Sequence, residues 1–313
     1  MHKIGKLLVV SFALLAALAF TAEGKINRKL LVSTDWLAKN SKKVVVLHVG
    51  TNRQSYEAGH IPGARFLAYG SITTVRDGVP NELASVADLE KAFTEVGIGN
   101  TRKVVLYGDL NGLAAARAFF TLDYLGHGDR VAILDGGFDK WKKENREIST
   151  RAAEPAAEPF TPRVDPRTVV ALDTVRDVSW SVVSQKRSNF ALIDARPPEE
   201  YSGEKPGDGV VRPGHIPGAV NVFWLAGNLV SRENPVMKPV RELRDIYAKA
   251  GVADGKTIVV YCRTGGQASH AYFTLRYLGY RPMMYDGSYF QWNKHPDTKV
   301  ESGAPASLPA SRQ

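Results

Sequence analysis

The sequence predicts an α/β fold built twice over, and three observations carry that expectation. Blocks of the first half return in the same order in the second: "YEAGHIPGARF" from Tyr56 as "RPGHIPGAVNV" from Arg212, "FFTLDYLG" from Phe119 as "YFTLRYLG" from Tyr272, and "LDGGFDKW" ending at Trp141 as "YDGSYFQW" ending at Trp292. Their separation is nearly constant, as a duplication requires. Within each copy, short β-branched runs alternate with segments of helical periodicity, the pattern of a mostly parallel sheet covered by helices on both faces. A Pro- and Ala-rich stretch parts the copies, and 313 residues exceed what one core usually fills.

Taken in order, residues 1–24 have the layout of a secretory signal: Lys3 and Lys6, an apolar run from Leu7 to Phe20, then Ala17, Ala19, Ala22 and Gly24 as small residues for cleavage after Ala19 or Gly24. The apolar run is shorter than the roughly 20 residues of a spanning helix, so export, to a periplasm, is expected rather than an anchor. Residues 25–150 form the first copy. Residues 151–167, "RAAEPAAEPFTPRVDPR", read as an extended linker. In the second copy, 168–300, "FALIDAR" is a short apolar strand and "PVRELRDIYAKAGV" a helix with Leu243, Ile246 and Tyr247 on one face. "KTIVVYC" is a second strand, "QASHAYFTLRYLG" a helix stopped by Gly279, and "RPMMYDGSYFQW" a strand running into a turn. Residues 301–313 read as a loose tail.

Charge narrows the partners. Lys and Arg exceed Asp and Glu by nine, but the basic residues are scattered and adjoined by acids, as at Arg241, Glu242, Arg244 and Asp245. That argues against nucleic acid and suits small anions. One cysteine and separated histidines offer no metal-ligand spacing and no internal disulfide, although an exported chain would favour disulfides; no cofactor is expected.

The lone cysteine, Cys262, lies in "VVYCRTGGQASH", directly after an apolar strand and before a helix. In a parallel sheet ligands sit at that strand end. Arg263, Thr264, Gly265, Gly266 and Gln267 make a loop short enough to curl its backbone N–H groups around the sulfur, with a helix N-terminus behind them. Such a site holds an anion, so the thiol is expected to ionise below its free pKa of about 8.5. The alternative is an inert buried cysteine.

The paired "GHIPGA" segments, "LIDAR" and "CRTGGQ" together resemble the rhodanese family of sulfurtransferases, in its two-domain form with an active C-terminal copy, from about Val32 to Trp292. The resemblance implies two tandem rhodanese-like domains and transfer of a sulfane sulfur through a persulfide on Cys262. A small anionic donor, thiosulfate or 3-mercaptopyruvate, would load the cysteine, and cyanide or another thiol would unload it. The backbone amides of Arg263 through Gln267 would cradle the persulfide, with Arg263 adding charge at the mouth. Arg196 stands where the family places a donor-contacting arginine; its alternative role is a salt bridge with Asp194 or Glu199. Asp194 is expected to organise its loop. His60 and His215 recur in both copies and are read as structural; Tyr272, Phe273, Tyr277 and Trp292 are read as core.

The first copy has Gly108 in place of Cys262 and Asp109 in place of Arg263, and "LHVG", with His48 and Gly50, lacks the acid and arginine of "LIDAR". It is therefore expected to be inactive and to cover the second copy's loop. A cysteine phosphatase would need an arginine six positions after the cysteine, where Ala268 stands. The remaining alternatives are a mercaptopyruvate sulfurtransferase and a sulfur carrier without small-donor turnover. Arg263 followed by Thr264 favours thiosulfate. The partners expected are the donor and the acceptor, with a monomeric chain and no stable membrane anchor after signal cleavage.

Overall fold

The computed structural model describes residues 25–185 and 188–303; the segment 1–24 read as a signal and most of the segment 301–313 read as a tail lie outside them. The first copy comprises β1 (Leu31–Val32), α1 (Thr34–Asn40), β2 (Val45–Gly50), α2 (Arg53–Ala58), β3 (Arg65–Ala68), β4 (Thr73–Arg76), β5 (Val79–Leu83), α3 (Val86–Glu95), β6 (Val104–Gly108), α4 (Leu113–Tyr124), β7 (Val131–Leu134) and α5 (Gly137–Lys143). The second comprises α6 (Leu172–Ser184), β8 (Phe190–Asp194), α7 (Pro198–Ser202), β9 (Val220–Asn221), α8 (Trp224–Asn228), α9 (Val240–Lys249), β10 (Thr257–Tyr261), α10 (Gly266–Tyr277), β11 (Met283–Met284) and α11 (Ser288–Trp292).

Each copy is built on a parallel sheet, ordered β1-β7-β6-β2-β3 in the first and β11-β10-β8-β9 in the second. β4 and β5 stand apart as an antiparallel hairpin. Buried on both faces, the central strands β6 and β10 are largely apolar, and alternate residues face opposite sides. Val104 and Leu106 face one core, Val105 and Tyr107 the other; in the second copy Ile258 and Val260 face one side, Val259 and Tyr261 the other. Cys262 continues the alternation onto the side of Ile258 and Val260.

That side is shared. One apolar core runs through both copies, because α4 and α10 pack against each other across the boundary. Phe119 meets Phe273 edge-on at 4.9 Å and Phe120 meets Tyr272 at 5.1 Å, two contacts related by the repeat itself. The Tyr272 hydroxyl donates to Asp123 at 2.7 Å, and Arg276 forks onto the same carboxylate. The segment read as a linker carries no regular structure before Pro166 but is strapped to the first copy: Ala153 N donates to Tyr56 Oη, Glu158 N to Thr94 O, and Phe160 is buried. Among the described residues no helix is long and apolar enough to cross a membrane.

Candidate active site

Cys262 is 1% exposed and sits at the C-terminal end of β10. Its neighbours fix it on both sides. Tyr289 N donates to Cys262 O at 2.9 Å, and Cys262 N donates to Ser288 Oγ at 3.3 Å. Gly265 then turns the chain into α10 at φ +86°, a left-handed conformation that glycine adopts without strain. Its amide donates to Cys262 Sγ at 3.1 Å. Among the described residues no side chain caps α10, so its first N–H groups remain to face the sulfur.

The cradle differs in membership from the expected one. The amides that act most on the sulfur are those of Ala268, Thr264, Gly265 and Gln267, so Ala268 joins the expected set while Arg263 and Gly266 are not among these four. The direction of the thiol's proton affinity also differs. Burial pushes the Cys262 thiol up, and the four amides pull it down without overcoming that effect. The expectation of a depressed pKa weighed the helix terminus and neglected desolvation by the shared core.

Arg263 is one-third exposed and turns to Glu200, 3.6 Å away. Burial raises the Glu200 carboxyl, and Arg263 opposes that rise. The positive charge expected at the mouth is thus partly neutralised. Thr264 Oγ1 accepts from Asn81 Nδ2 of the first copy at 3.2 Å. Gly266 lies under Tyr69: a Cβ there would sit 3.6 Å from the Tyr69 hydroxyl. The half-buried Gln267 keeps Oε1 without a hydrogen-bond partner among the described residues.

Of the two roles open to Arg196, the geometry displays the ion pair. The side chain is buried, its Nε bonds both Asp194 oxygens at 3.0 Å, and Nη2 reaches Asp194 Oδ2 and Gly214 O. Its guanidinium also lies 4.0 Å over the Tyr289 ring. His60 and His215 are alike in their surroundings: each stacks on a tyrosine, Tyr56 or Tyr201, and donates from Nδ1 to that residue's carbonyl.

The first copy meets the cysteine loop at residues that reading the sequence did not single out. The β4–β5 hairpin brings Asn81 onto Thr264, and Leu83 N donates to Asp286 Oδ2 at 2.7 Å. Arg117, wholly buried on α4, donates to Asp286 Oδ1 at 2.6 Å. The "DG" repeat at Asp135 and Asp286 was a signal for the carboxylate. Nothing marked Arg117, whose counterpart in the second copy is His270. Among the described residues no cluster of three His, Cys, Asp or Glu is placed to hold a metal ion.

A model of the rhodanese-like domain matches residues 33–144 and again 180–295. The chain is 36% identical to the sulfur carrier protein TtuD of Thermus thermophilus, over 90% of this chain and 99% of that protein. It is 33% identical to a putative thiosulfate sulfurtransferase of Mycolicibacterium smegmatis, over 88% and 98% of the two. Among solved structures, the anaerobic ergothioneine biosynthesis enzyme of Chlorobium limicola, in complex with trimethyl histidine, superposes with a TM-score of 0.77 at 26% identity, covering 88% of this chain and 70% of that one.

Proposed function

The chain belongs to the rhodanese-like family, and from that premise we propose that it is a thiosulfate sulfurtransferase carrying one sulfane sulfur on Cys262. The observation that carries this reading is the Gly265 amide 3.1 Å from Sγ, at the strand end where the free N–H groups of α10 converge. A neutral buried thiol gains little from such donors; a thiolate, and the persulfide anion that replaces it, gain much more.

The Cys262 thiolate attacks the outer sulfur of thiosulfate; the sulfur–sulfur bond of the donor breaks, and sulfite leaves with its electron pair. The new sulfur, bearing the negative charge, stays on Cys262 within reach of the loop amides. An acceptor such as cyanide then attacks that sulfur, leaves as thiocyanate and returns the thiolate. Arg263, shared with Glu200, offers the sulfonate end of the donor a partly neutralised cation, and Thr264 offers a hydroxyl.

Intact mass after incubation with thiosulfate tests the proposal. One added sulfur atom is expected on Cys262, removed by cyanide, and absent from Cys262→Ser; a loaded mass that survives this substitution places the chemistry elsewhere. The similarity to a sulfur carrier favours a second reading, a sulfur carrier without small-donor turnover. Sustained formation of thiocyanate over many turnovers supports the enzyme, and a single stoichiometric burst supports the carrier. We further propose export, on the strength of Lys3, Lys6 and the apolar run that follows. An intact N-terminal methionine on protein recovered from the periplasm counts against cleavage.

A further inference from the structure

We propose that Arg117, a residue of the copy that has no cysteine, is a positioning residue for Cys262: it closes a hydrogen-bonded ring across the domain boundary that holds the cysteine loop in its sulfur-cradling shape. The proposal rests on Cys262 being the reactive thiol, and its test reads that thiol directly rather than through any donor.

The ring can be followed bond by bond. Arg117 Nη1 donates to Asp286 Oδ1 and Nη2 to Asn81 O, each at 2.6 Å. Asn81 turns back at φ +63° and donates from Nδ2 to Thr264 Oγ1, two residues after the cysteine. On the other side, Asp286 precedes by two residues Ser288, whose Oγ accepts from Cys262 N at 3.3 Å. Leu83 N braces Asp286 through its second oxygen. Both walls of the loop therefore hang on one buried guanidinium. Arg117 also lies directly over the residue that donates to the sulfur, since a Cβ on Gly265 would sit 2.9 Å from Nη1.

Placing an arginine at 0% exposure between two domains is costly unless its partners are well arranged, and even here Nε has no hydrogen-bond partner among the described residues. The charges of Arg117, Tyr69 and Cys262 influence one another, so the guanidinium acts within electrostatic reach of the thiol.

The other half of the molecule supplies an internal comparison. By the repeat, Asp135 corresponds to Asp286 and accepts from Met237 N at 2.9 Å, as Asp286 accepts from Leu83 N. The counterpart of Arg117 there is His270, which closes no such ring among the described residues. Tyr247 donates to Asn228 Oδ1, which fixes that amide so that its Nδ2 donates to His270 Nδ1. In place of a ring, a cavity of about 720 Å³ opens between His270, Asp135 and the first copy's loop at Asp109. The bracing carboxylate is present in both halves, whereas among the described residues an arginine ties it to the facing loop only at the boundary that meets the cysteine loop.

The test measures the pH dependence of Cys262 alkylation by iodoacetamide in the full chain, together with persulfide loading by thiosulfate. Arg117→Met is expected to raise the alkylation midpoint by about one pH unit and slow loading roughly tenfold, while Arg117→Lys recovers part of both. Because Arg117→Met removes a buried charge and can fail to fold, Asn81→Gly provides a milder break: it keeps the left-handed backbone and the carbonyl that Arg117 uses, and removes only the bond to Thr264. It is expected to shift the midpoint in the same direction by less. Where Arg117→Met folds, the double variant should be no worse than Arg117→Met alone, as for two cuts in one ring. A change in thermal stability with an unchanged alkylation midpoint in Asn81→Gly overturns the proposal and leaves Arg117 a purely structural ion pair. A chain whose midpoint shifts as expected but that takes no sulfur from thiosulfate keeps this proposal and sinks the choice of donor.

Discussion

Arg263 and Glu200 share a charge that the anionic donor would otherwise meet alone. They are 3.6 Å apart, Arg263 is one-third exposed, and Glu200 is largely buried. An exposed guanidinium paired with a carboxylate attracts an anion weakly, and screening weakens it further. Two substitutions should therefore act in opposite directions. Glu200→Gln frees the cation and is expected to raise kcat/KM for thiosulfate several-fold, chiefly through KM. Arg263→Gly is expected to lower it by roughly tenfold, an effect that shrinks with added salt. Steady-state assays at two ionic strengths check both. If Glu200→Gln leaves kcat/KM unchanged, the guanidinium does not face the donor. Arg196 is a different case: with both Nε and Nη2 committed to Asp194 inside the core, its removal strands a buried carboxylate.

The junction between β10 and α10 is the element on which the proposed persulfide chemistry depends, and its shape hinges on Gly265. Two constraints meet there: φ is +86°, and a methyl group would stand 2.9 Å from Arg117 Nη1 and 3.0 Å from Asp286 Oδ1. Gly265→Ala is thus expected to cost about 1–2 kcal/mol from the left-handed backbone alone, and more from the displaced ion pair. Alkylation of Cys262 should quicken as the loop opens while persulfide loading slows; equal loading rates in the variant and the parent chain would show that the cradle is not formed by this turn. Much of this junction was legible in the sequence, because β-branched residues end at Cys262 and two glycines precede a helical pattern, so local rules act on adjacent residues. The β4–β5 hairpin was not. Its residues alternate poorly, with Val79, Glu82 and Leu83 buried and Asn81 in a left-handed turn, because it is shaped by docking onto the other copy rather than by a face of its own. For the same reason Arg117 reads as one more basic residue in an alanine-rich helix. The direction of the Cys262 shift was missed on similar grounds, since burial by a distant segment leaves no mark beside the cysteine.

At the scale of the molecule, the shared core means that the two copies are expected to unfold together. Phe119, Phe120, Tyr272 and Phe273 join them through apolar contact, and Asp123 with Arg276 adds a partly buried ion pair. Histidines distributed over both copies then make that single transition sensitive to acid. His48 and His127 in the first, and His215 and His270 in the second, are all lowered by burial, with His270 brought to about 4. In the unfolded chain each would take a proton near its ordinary value of 6.5. A base whose folded pKa is depressed contributes stability that is complete above the unfolded value and is lost as pH falls towards the folded one. The chain should therefore be most stable above pH 6.5 and lose stability between pH 6.5 and about 4. Each histidine that stays neutral while folded contributes up to about 1.4 kcal/mol per pH unit. Urea titrations at pH 7 and pH 5, followed by tryptophan fluorescence and far-UV circular dichroism, measure this. The expected result is one coincident transition at each pH with a lower midpoint at pH 5, and His270→Gln should reduce the difference between the two. Two separated transitions would show that the copies fold independently despite their common core, and a midpoint indifferent to pH would show that the buried histidines are already protonated in the folded chain.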